Sequence, residues 1–351
     1  MSELEQMLED SAIRLFSNEV TLAQIEAMEQ GQWPSALWQA IEDSGLARVL
    51  VDEANGGAEL GWSEGLPVLL AAARALAPVP FTDTALCGWL LARLGLPVPP
   101  GPIGLAALEA ELQAVETAQG WILSGQAEVP WGRHAGHVLA RARTPAADIV
   151  WLLLPTQGCA VAAGENIAGE PRDRLSFDAA RALAAAAGDP LPSAHGLRPL
   201  GALMRAIDMA GVLERVLDQT VRYAGERVQF GRPIGKFQAI QQQLAVLANE
   251  VVAARMAVSS ACAALPGEQW AFQAMVAKVV CGQAAGRVAS IAHQVHGAIG
   301  FTREHSLHFA TRRLWSWRAE YGSEAFWAAR IGEQAIRAGG AALWPALTQS
   351  A

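Results

Sequence analysis

The chain has 351 residues, of which 52% are hydrophobic and 17% charged, and its formal net charge at pH 7 is −8. A chain of this length has room for two or three domains, and so small a charged fraction indicates that domain packing or other subunits cover much of the surface. The acidic balance, without a cluster of Lys and Arg, argues against nucleic acid as a partner.

The N-terminal residues, the apolar runs and the cysteines argue against several classes of protein. The first sixteen residues are acidic and amphipathic rather than basic and then apolar, which is not the pattern of a signal peptide. No run approaches the roughly 20 apolar residues that a membrane span needs. The four cysteines are far apart and show no metal-ligand spacing. We therefore expect a cytoplasmic protein without a membrane span, a metal site or a disulfide framework.

The first zone, residues 1–102, has the apolar spacing of helices. This spacing is clearest at residues 11–16, 34–44 and 66–77, with a break at Asn55-Gly56-Gly57. The zone ends in the run LGLPVPPGPIG, whose four prolines and three glycines cannot continue a helix. The sequence predicts an N-terminal helical domain over 1–102.

The second zone, residues 103–192, changes to short apolar or alternating runs separated by Gly, Pro, Asp and Asn. Residues 121–125, 138–142 and 149–154 read as strands of a small β domain. The third zone, 193–351, returns to long helices with apolar stripes and short loops, which is typical of an antiparallel four-helix bundle. The predicted fold class is therefore α+β and multidomain: helical domain, β domain, helical bundle.

The segment RYAGERVQFGRPIGKFQAIQQQLA, which begins at Arg222, combines several features that suit a nucleotide cofactor. Arg227 ends a predicted helix just before a Gly- and Pro-rich turn, where a cation suits a pyrophosphate. Phe230 offers a ring face to a flat heterocycle, and Gln229 and Gln238 offer amides for hydrogen bonds. Taken singly, Arg227 is equally a helix-end charge, and Phe230 is more often a core residue.

A second segment, QVHGAIGFTREHSLH, begins at Gln294. The small residues Gly297, Ala298 and Gly300 permit a cofactor to approach the backbone closely, although alone they are a helix-ending loop. For His296 we favour a buried structural role.

Together, the two segments resemble the signature motifs of the acyl-CoA dehydrogenases, at that family's spacing and in its order of helices, sheet and bundle. The resemblance covers essentially the whole chain; it is specific in the last third and poor in the β zone. It implies a barrel-like middle domain and an oligomer with an FAD that subunits share. It also implies an electron-transfer flavoprotein as acceptor. The cofactor-binding residues that it implies are Arg227, Gln229, Phe230, Gln238, Gln294, Gly297 and Ala298.

The resemblance also implies a reaction in which a carboxylate removes the α proton of an acyl-CoA and the β hydride passes to the flavin. In the common pattern this base is the Glu of a Tyr-Glu-Gly-Thr run. Here Glu320-Tyr321-Gly322-Ser323 stands in its place, so Tyr321 falls on the base position and Glu320 lies one residue early. Glu320 is the preferred base. Glu324 is second, and a solvated first-turn carboxylate is the preferred interpretation of it.

Two further departures concern the base and the flavin. Some family members place the base on the first bundle helix, where the matched position here is Gly201 or a neighbour; Asp208 and Glu214 come too late. The family's flavin-holding run in the β domain is reduced to residues 106–109 and 129–132. Within the latter, Trp131 is assigned equally to the flavin and to the β-domain core.

Four functions remain open. The first is a self-sufficient FAD-dependent acyl-CoA dehydrogenase, a homo-oligomer that introduces a Cα–Cβ double bond with Glu320 as base. The second is a supporting subunit of a heteromeric acyl-CoA dehydrogenase, such as a heterotetramer, which donates Arg227, Phe230 and Gln294 to a partner's FAD and supplies no base. The retained Glu320 places the first narrowly ahead. A flavin monooxygenase of the same fold and a cofactor-free bundle follow in that order. A bulky or branched acyl group is the favoured substrate.

Overall fold

A computed structural model describes residues 3–107, 110–191, 196–302, 304–341 and 344. The chain divides into two compact units, one of residues 1–68 and 77–198 and the other of residues 69–76 and 199–351. The domain boundaries at 102/103 and 192/193 stay predictions, and the second falls outside the described residues, as do residues 108 and 109 of the reduced flavin run.

The helices of the first unit follow the predicted zone. They are α1 (Glu3–Glu19), α2 (Leu22–Glu29), α3 (Ser35–Ser44), the start of α4 (Trp62–Ala75) and α5 (Phe81–Arg93). Local signals set their ends: Thr21 and Gln24 form a capping box before α2, and Gly45 ends α3 at φ 72°. Helix α5 is buried on all sides from residue 81 to residue 91, including the polar residues Thr82, Asp83 and Thr84.

A mixed sheet completes the first unit. Its strands run in the order β6-β7-β3-β2-β4-β5-β8, with β1 parallel to β4. The predicted strands at 121–125, 138–142 and 149–154 are confirmed as parts of β3, β4 and β5. The strands are β1 (Ile103–Leu105), β2 (Gln113–Thr117), β3 (Gly120–Pro130), β4 (His137–Arg143), β5 (Ile149–Pro155), β6 (Ala160–Ala162), β7 (Arg172–Arg181) and β8 (Ala184–Ala187).

The second unit is helical. It contains α6 (Arg198–Glu226), a small hairpin of β9 (Val228–Gln229) and β10 (Arg232–Pro233), then α7 (Gln238–Ala263), α8 (Trp270–His296), α9 (Leu307–Ala319) and α10 (Glu324–Ala338). The predicted fold class, helical parts flanking a central sheet, is confirmed. Besides the end of α4, the described part of this unit has the five α-helices α6 to α10, of which the last two are separated at residues 320–323.

Two side-chain contacts fix how α6 and α9 run relative to each other. Gln219 Nε2 donates to Ser306 Oγ at 2.8 Å, and Arg205 Nε donates to Glu320 Oε2 at 2.6 Å. As the residue number rises along α6, the number of its contact residue at α9 falls, so the two helices are antiparallel. The connection between α9 and α10, which carries Glu320 and Tyr321, therefore lies beside the first turns of α6.

Candidate functional site

The hairpin after α6 presents an aromatic ring to solvent. Gln229 pairs with Arg232, which leaves a two-residue turn of Phe230 and Gly231 at φ 51° and 78°. Such a turn requires positive φ at both positions, and for a non-glycine residue this costs roughly 1–2 kcal/mol. Phe230 is nevertheless 92% exposed. A strained, outward-facing Phe is expected where a ligand or another chain covers the ring.

The end of α6 lies against the end of α8. The Tyr223 ring stacks on His296 with centroids 4.3 Å apart, and Tyr223 Oη donates to the His296 carbonyl at 3.2 Å. This contact brings the hairpin that follows Arg227 to the same end of the unit as the loop at Gly297 and Ala298. His296 is 3% exposed, which confirms its predicted buried role.

The predicted cofactor residues on this end are all exposed: Arg227, Gln229, Phe230, Gln238, Gln294, Gly297 and Ala298. Gly297 has φ 65°, and a Cβ built on it would meet no atom within 4 Å, so its backbone is open to approach. A cation, amides, a ring face and open backbone are the donor set that a dinucleotide such as FAD requires. These residues fit FAD as one exposed wall of a site; their contact with it stays a prediction.

Trp131 lies in the first unit and has a different environment. It is 3% exposed, and its ring centroid lies 6.3 Å from that of Trp33 and 6.3 Å from that of His134. This is the packing of a core tryptophan. Burial, followed by the positive charge of Arg133, lowers the pKa of His134. A role of Trp131 toward a flavin stays a prediction that its burial does not favour.

The positions that the resemblance assigns to a catalytic base, Tyr321 and Gly201 or a neighbour, lie close together in the second unit. A Cβ on Gly201 of α6 would lie 2.6 Å from Cγ of Tyr321, well inside contact distance. Tyr321 has φ 54°, and its carbonyl accepts a hydrogen bond from Trp327 Nε1 at 3.0 Å. The space between the positions is thus filled by a phenol ring, and neither position carries a carboxylate.

Glu320 lies beside this contact, in an ion pair. Its Oε2 accepts from Arg205 Nε at 2.6 Å, while Arg205 Nη1 donates to Asp208 Oδ2 at 2.7 Å. The Arg205 side chain is 2% exposed and that of Glu320 is 18% exposed. A guanidinium buried between two carboxylates offsets their negative charges. Glu320 is therefore near the predicted base position but engaged by a cation.

The α9–α10 connection is anchored by a buried lysine. Lys278 Nζ on α8 donates to the carbonyls of Trp317, Arg318 and Gly322 at 3.0, 2.8 and 2.8 Å. Burial lowers the pKa of Lys278 to about 8, although the charge of Glu320 opposes this shift. Three carbonyls on one ammonium hold both sides of the connection in place.

Glu324 also differs from its predicted solvated state. It opens α10, as predicted, but its side chain is 18% exposed and pairs with Arg318, whose Nε donates to Oε1 at 2.8 Å. The Arg318 hydrogen bond lowers the pKa of Glu324. Glu214 likewise pairs with Arg255 Nη1 at 2.6 Å.

Sequence reasoning missed the two cations that organise this region, Arg205 and Lys278. Both could have been recognised in the sequence as charged residues within apolar helical runs. Arg205 is the charged residue of the apolar run from Leu200 to Ile207, and Lys278 stands in an otherwise uncharged stretch of α8 from Trp270 to Gln283. A charge inside an apolar helical run is expected to be paired, since an unpaired buried charge is costly.

Comparison with known proteins agrees with the geometry. Residues 2–97 match the sequence profile of the acyl-CoA dehydrogenase N-terminal domain, and residues 199–336 match that of the acyl-CoA dehydrogenase C-terminal domain. The chain is 30% identical over 317 residues to acyl-CoA dehydrogenase IpdE2 of Mycobacterium tuberculosis, an alignment that covers 89% of this chain and 91% of IpdE2.

Two solved structures have the same fold and recognisable identity. A chain of the ChsE4-ChsE5 complex from Mycobacterium tuberculosis matches with a TM-score of 0.82 and 26% identity, over 95% of this chain and 97% of that one. A chain of the Tcur3481-Tcur3483 steroid ACAD G363A variant matches with a TM-score of 0.82 and 27% identity, over 97% and 99%. With both terminal domains matched and its motifs at one end of the helical unit, the chain belongs to the acyl-CoA dehydrogenase family of oxidoreductases.

Proposed function

We propose that this chain is the supporting subunit of a heteromeric, FAD-dependent acyl-CoA dehydrogenase, and that a related chain supplies the catalytic base. One observation carries this proposal. By resemblance, the base positions of the family correspond to Tyr321 and to Gly201 or a neighbour, and the Tyr321 ring fills the space beside Gly201. On sequence grounds, the retained Glu320 narrowly favoured the self-sufficient enzyme. The position of the Tyr321 ring leads us to prefer the supporting subunit instead.

The proposed reaction is removal of an α proton and a β hydride from an acyl-CoA thioester, with FAD, when bound, as the hydride acceptor. Arg227 would offset the charge of the FAD diphosphate, Phe230 would cover a flat ring, and Gln294 and the open backbone at Gly297 would provide polar contacts. An α C–H is so weak an acid that its base must be free to take a proton. Glu320, bound to Arg205, is poorly suited to that role.

The relatives support an assembly of two different chains. The matched ChsE chain was solved in a complex of ChsE4 with ChsE5, and the other matched protein is a Tcur3481-Tcur3483 steroid enzyme. By analogy, the partner is a family member with a carboxylate at the base position, and the acyl group is bulky and steroid-like. An electron-transfer flavoprotein is proposed as acceptor and the cytoplasm as location.

The rival function is the self-sufficient dehydrogenase with Glu320 as base. It is favoured by the position of Glu320, one residue from the matched position and with 18% of its side chain exposed. A break of the Arg205 pair on substrate binding would free this carboxylate.

The first measurement is the visible absorption spectrum of the purified chain, alone and co-purified with a family partner. We expect the isolated chain to hold little FAD and to resist reconstitution, and the two-chain assembly to be yellow. Near-stoichiometric FAD in the isolated chain, bleached by acyl-CoA, would instead establish the self-sufficient enzyme.

The second measurement tests Glu320 directly. Glu320→Gln keeps a hydrogen-bond acceptor for Arg205 but cannot act as a base. In the supporting subunit the assembled enzyme retains its rate of flavin bleaching, whereas loss of a catalytic base lowers the rate by a factor of about 10²–10⁴. Glu333→Gln is the matched control, because Glu333 forms an exposed pair with Arg337.

A further inference from the structure

The exposed turn Gly297–Phe301, a short 3-10 helix called the loop below, rests on a cluster of histidines that the proposed function does not use. His293 and His296 lie in the last turn of α8, and His305 precedes α9. The rings touch the loop and each other: His293 stacks on Phe301 at 4.3 Å, and His296 lies 4.7 Å from His305. A Cβ on Gly300 would meet His293 Nδ1 at 3.2 Å and His296 Cβ at 3.0 Å. The imidazole rings of His293, His296 and His305 therefore lie beneath the loop, and we call these three residues the histidine floor.

The hydrogen bonds of these rings assign each of them a neutral form. His296 Nδ1 donates to the Ala292 carbonyl at 2.7 Å, so Nε2 is the bare nitrogen. His293 Nε2 bonds to Thr311 Oγ1 at 3.0 Å, and that hydroxyl can donate to the Leu307 carbonyl at 3.4 Å, so Nδ1 is the bare nitrogen. Both bare nitrogens are buried and have no hydrogen-bond partner among the described residues.

His305 is held in the neutral form as well, because its Nδ1 accepts from the Leu307 backbone N–H at 3.3 Å. Protonation at this atom would break a contact at the start of α9. For His293 and His296, protonation would create a buried N–H⁺ with no acceptor, which is strongly unfavourable. All three rings therefore oppose an added proton for a geometric reason.

The described groups that contact this cluster carry no negative charge. They are Tyr223 from α6, His305 from the α8–α9 connection, and His308 and Thr311 from α9. Burial, and then the charge of neighbouring imidazoles, lowers the pKa of His293. Burial lowers the pKa of His296 and His305 as well, although the Ala292 hydrogen bond partly opposes this for His296.

We infer that the histidine floor makes the loop Gly297–Phe301 a pH-dependent element, closed when the three imidazoles are neutral and opened when they are protonated. The direction follows from linkage. In the opened loop the imidazoles regain the ordinary pKa of about 6.5, and in the closed loop it is lower, so the open form binds more protons as pH falls below 6.5. For each pKa unit by which closure of the loop lowers the pKa of an imidazole, the equilibrium constant for opening the loop changes by up to about tenfold.

Hydrogen–deuterium exchange of the full chain at pH 7.5 and pH 5.5 tests this inference, with labelling times scaled for the pH dependence of intrinsic exchange. We expect peptides that cover residues 297–302 to lose about tenfold or more of their protection at pH 5.5, while peptides from the middle of α8 keep theirs. No cofactor or partner is needed, so the result is independent of the proposed function.

Two variants make the test specific. His293→Phe with His296→Phe retains flat rings under the loop but cannot be protonated there, and it should largely abolish the pH effect. His137→Phe is the control, because His137 in β4 also has a pKa that burial lowers but lies in the other compact unit. Equal protection of the loop at both pH values, or a full pH effect in the double variant, would overturn the inference.

If the double variant does not fold, histidine ring resonances of the wild-type chain decide the matter by NMR titration. Three imidazoles with pKa values below 6.5, whose titration coincides with the change in loop protection, support the inference. Titration of all three at the ordinary value contradicts it.

Discussion

Arg205 is a buried cation that links α6 to the α9–α10 connection. Its side chain is 2% exposed, and its guanidinium contacts carboxylates of two different elements, Asp208 on α6 and Glu320 after α9. A buried ion pair contributes little net stability relative to an apolar pair, but removal of one partner leaves an uncompensated charge. Arg205 therefore fixes where Glu320 lies, and through it how the α9–α10 connection meets α6.

The first prediction is that Arg205→Met lowers the free energy of unfolding by about 3–5 kcal/mol, since Asp208 and Glu320 would lose their shared cation. Chemical denaturation at pH 7 measures this change. Arg337→Met, which removes an exposed pair with Glu333, should alter stability by no more than about 0.5 kcal/mol. Similar small losses in both variants would show that the buried network is not a structural requirement.

The second prediction concerns Gly201, whose missing side chain makes room for Tyr321. Gly201→Ala should destabilise the chain by about 1–3 kcal/mol, because the added methyl group overlaps the ring. Gly332→Ala is the matched control: it is helical, has open space around its Cβ position, and should gain up to about 1 kcal/mol. The double variant Gly201→Ala, Tyr321→Ala should lose less than the sum of its single changes. Strict additivity would mean that the two residues do not compete for space.

At the scale of elements, the connection between α9 and α10 is the feature that pattern could not predict. Its residues have no periodicity, and its shape results from Lys278, which reaches it from α8, and from positive φ at Tyr321 and Gly322. The long helices and the strands β3, β4 and β5 were predictable, because each buries one face or is buried throughout, which sets the apolar period.

The third prediction uses the lowered pKa of Lys278, about 8. An unfolded lysine stays protonated to about pH 10.5, so between pH 8 and pH 10.5 the unfolded chain binds more protons at this site and the free energy of unfolding rises with pH. Relative to Lys278→Met, the wild-type chain should gain about 1–3 kcal/mol between pH 7.5 and pH 10. Denaturation at the two pH values measures the difference. A constant difference would place the ordinary lysine pKa in the folded state, with the three carbonyls offsetting burial.

At the scale of the whole molecule, α7 leaves an apolar face exposed. It is the one helix of the described chain whose length and composition would suit a bilayer, and most of its apolar stretch is not buried. A single such helix is a weak indication of a span. Val246, Val252 and Met256 are 49%, 60% and 60% exposed, and an apolar face of this kind is typical of a contact with another chain.

The fourth prediction is that the chain does not work as a monomer. Light scattering at micromolar concentration should show an oligomer, and Val252→Asp with Met256→Asp should shift it toward monomer, because two carboxylates would be buried at the contact. Ile167→Asp changes an equally exposed residue, 65%, in the other unit and should leave the mass unchanged. A monomeric wild-type chain, or an effect of the control as large as that of the α7 variant, would contradict the prediction.

The sequence by itself determined the family, the order of helices, sheet and helices, and the segments that present Arg227, Phe230 and Gln294, because periodicity and contiguous motifs are local properties of the chain. The tertiary structure decided the rest. Gly201 and Tyr321 are 120 residues apart in sequence, and only packing shows that they compete for one space. Likewise, whether Glu320 is an available base or half of an ion pair depends on Arg205, which a different helix brings to it.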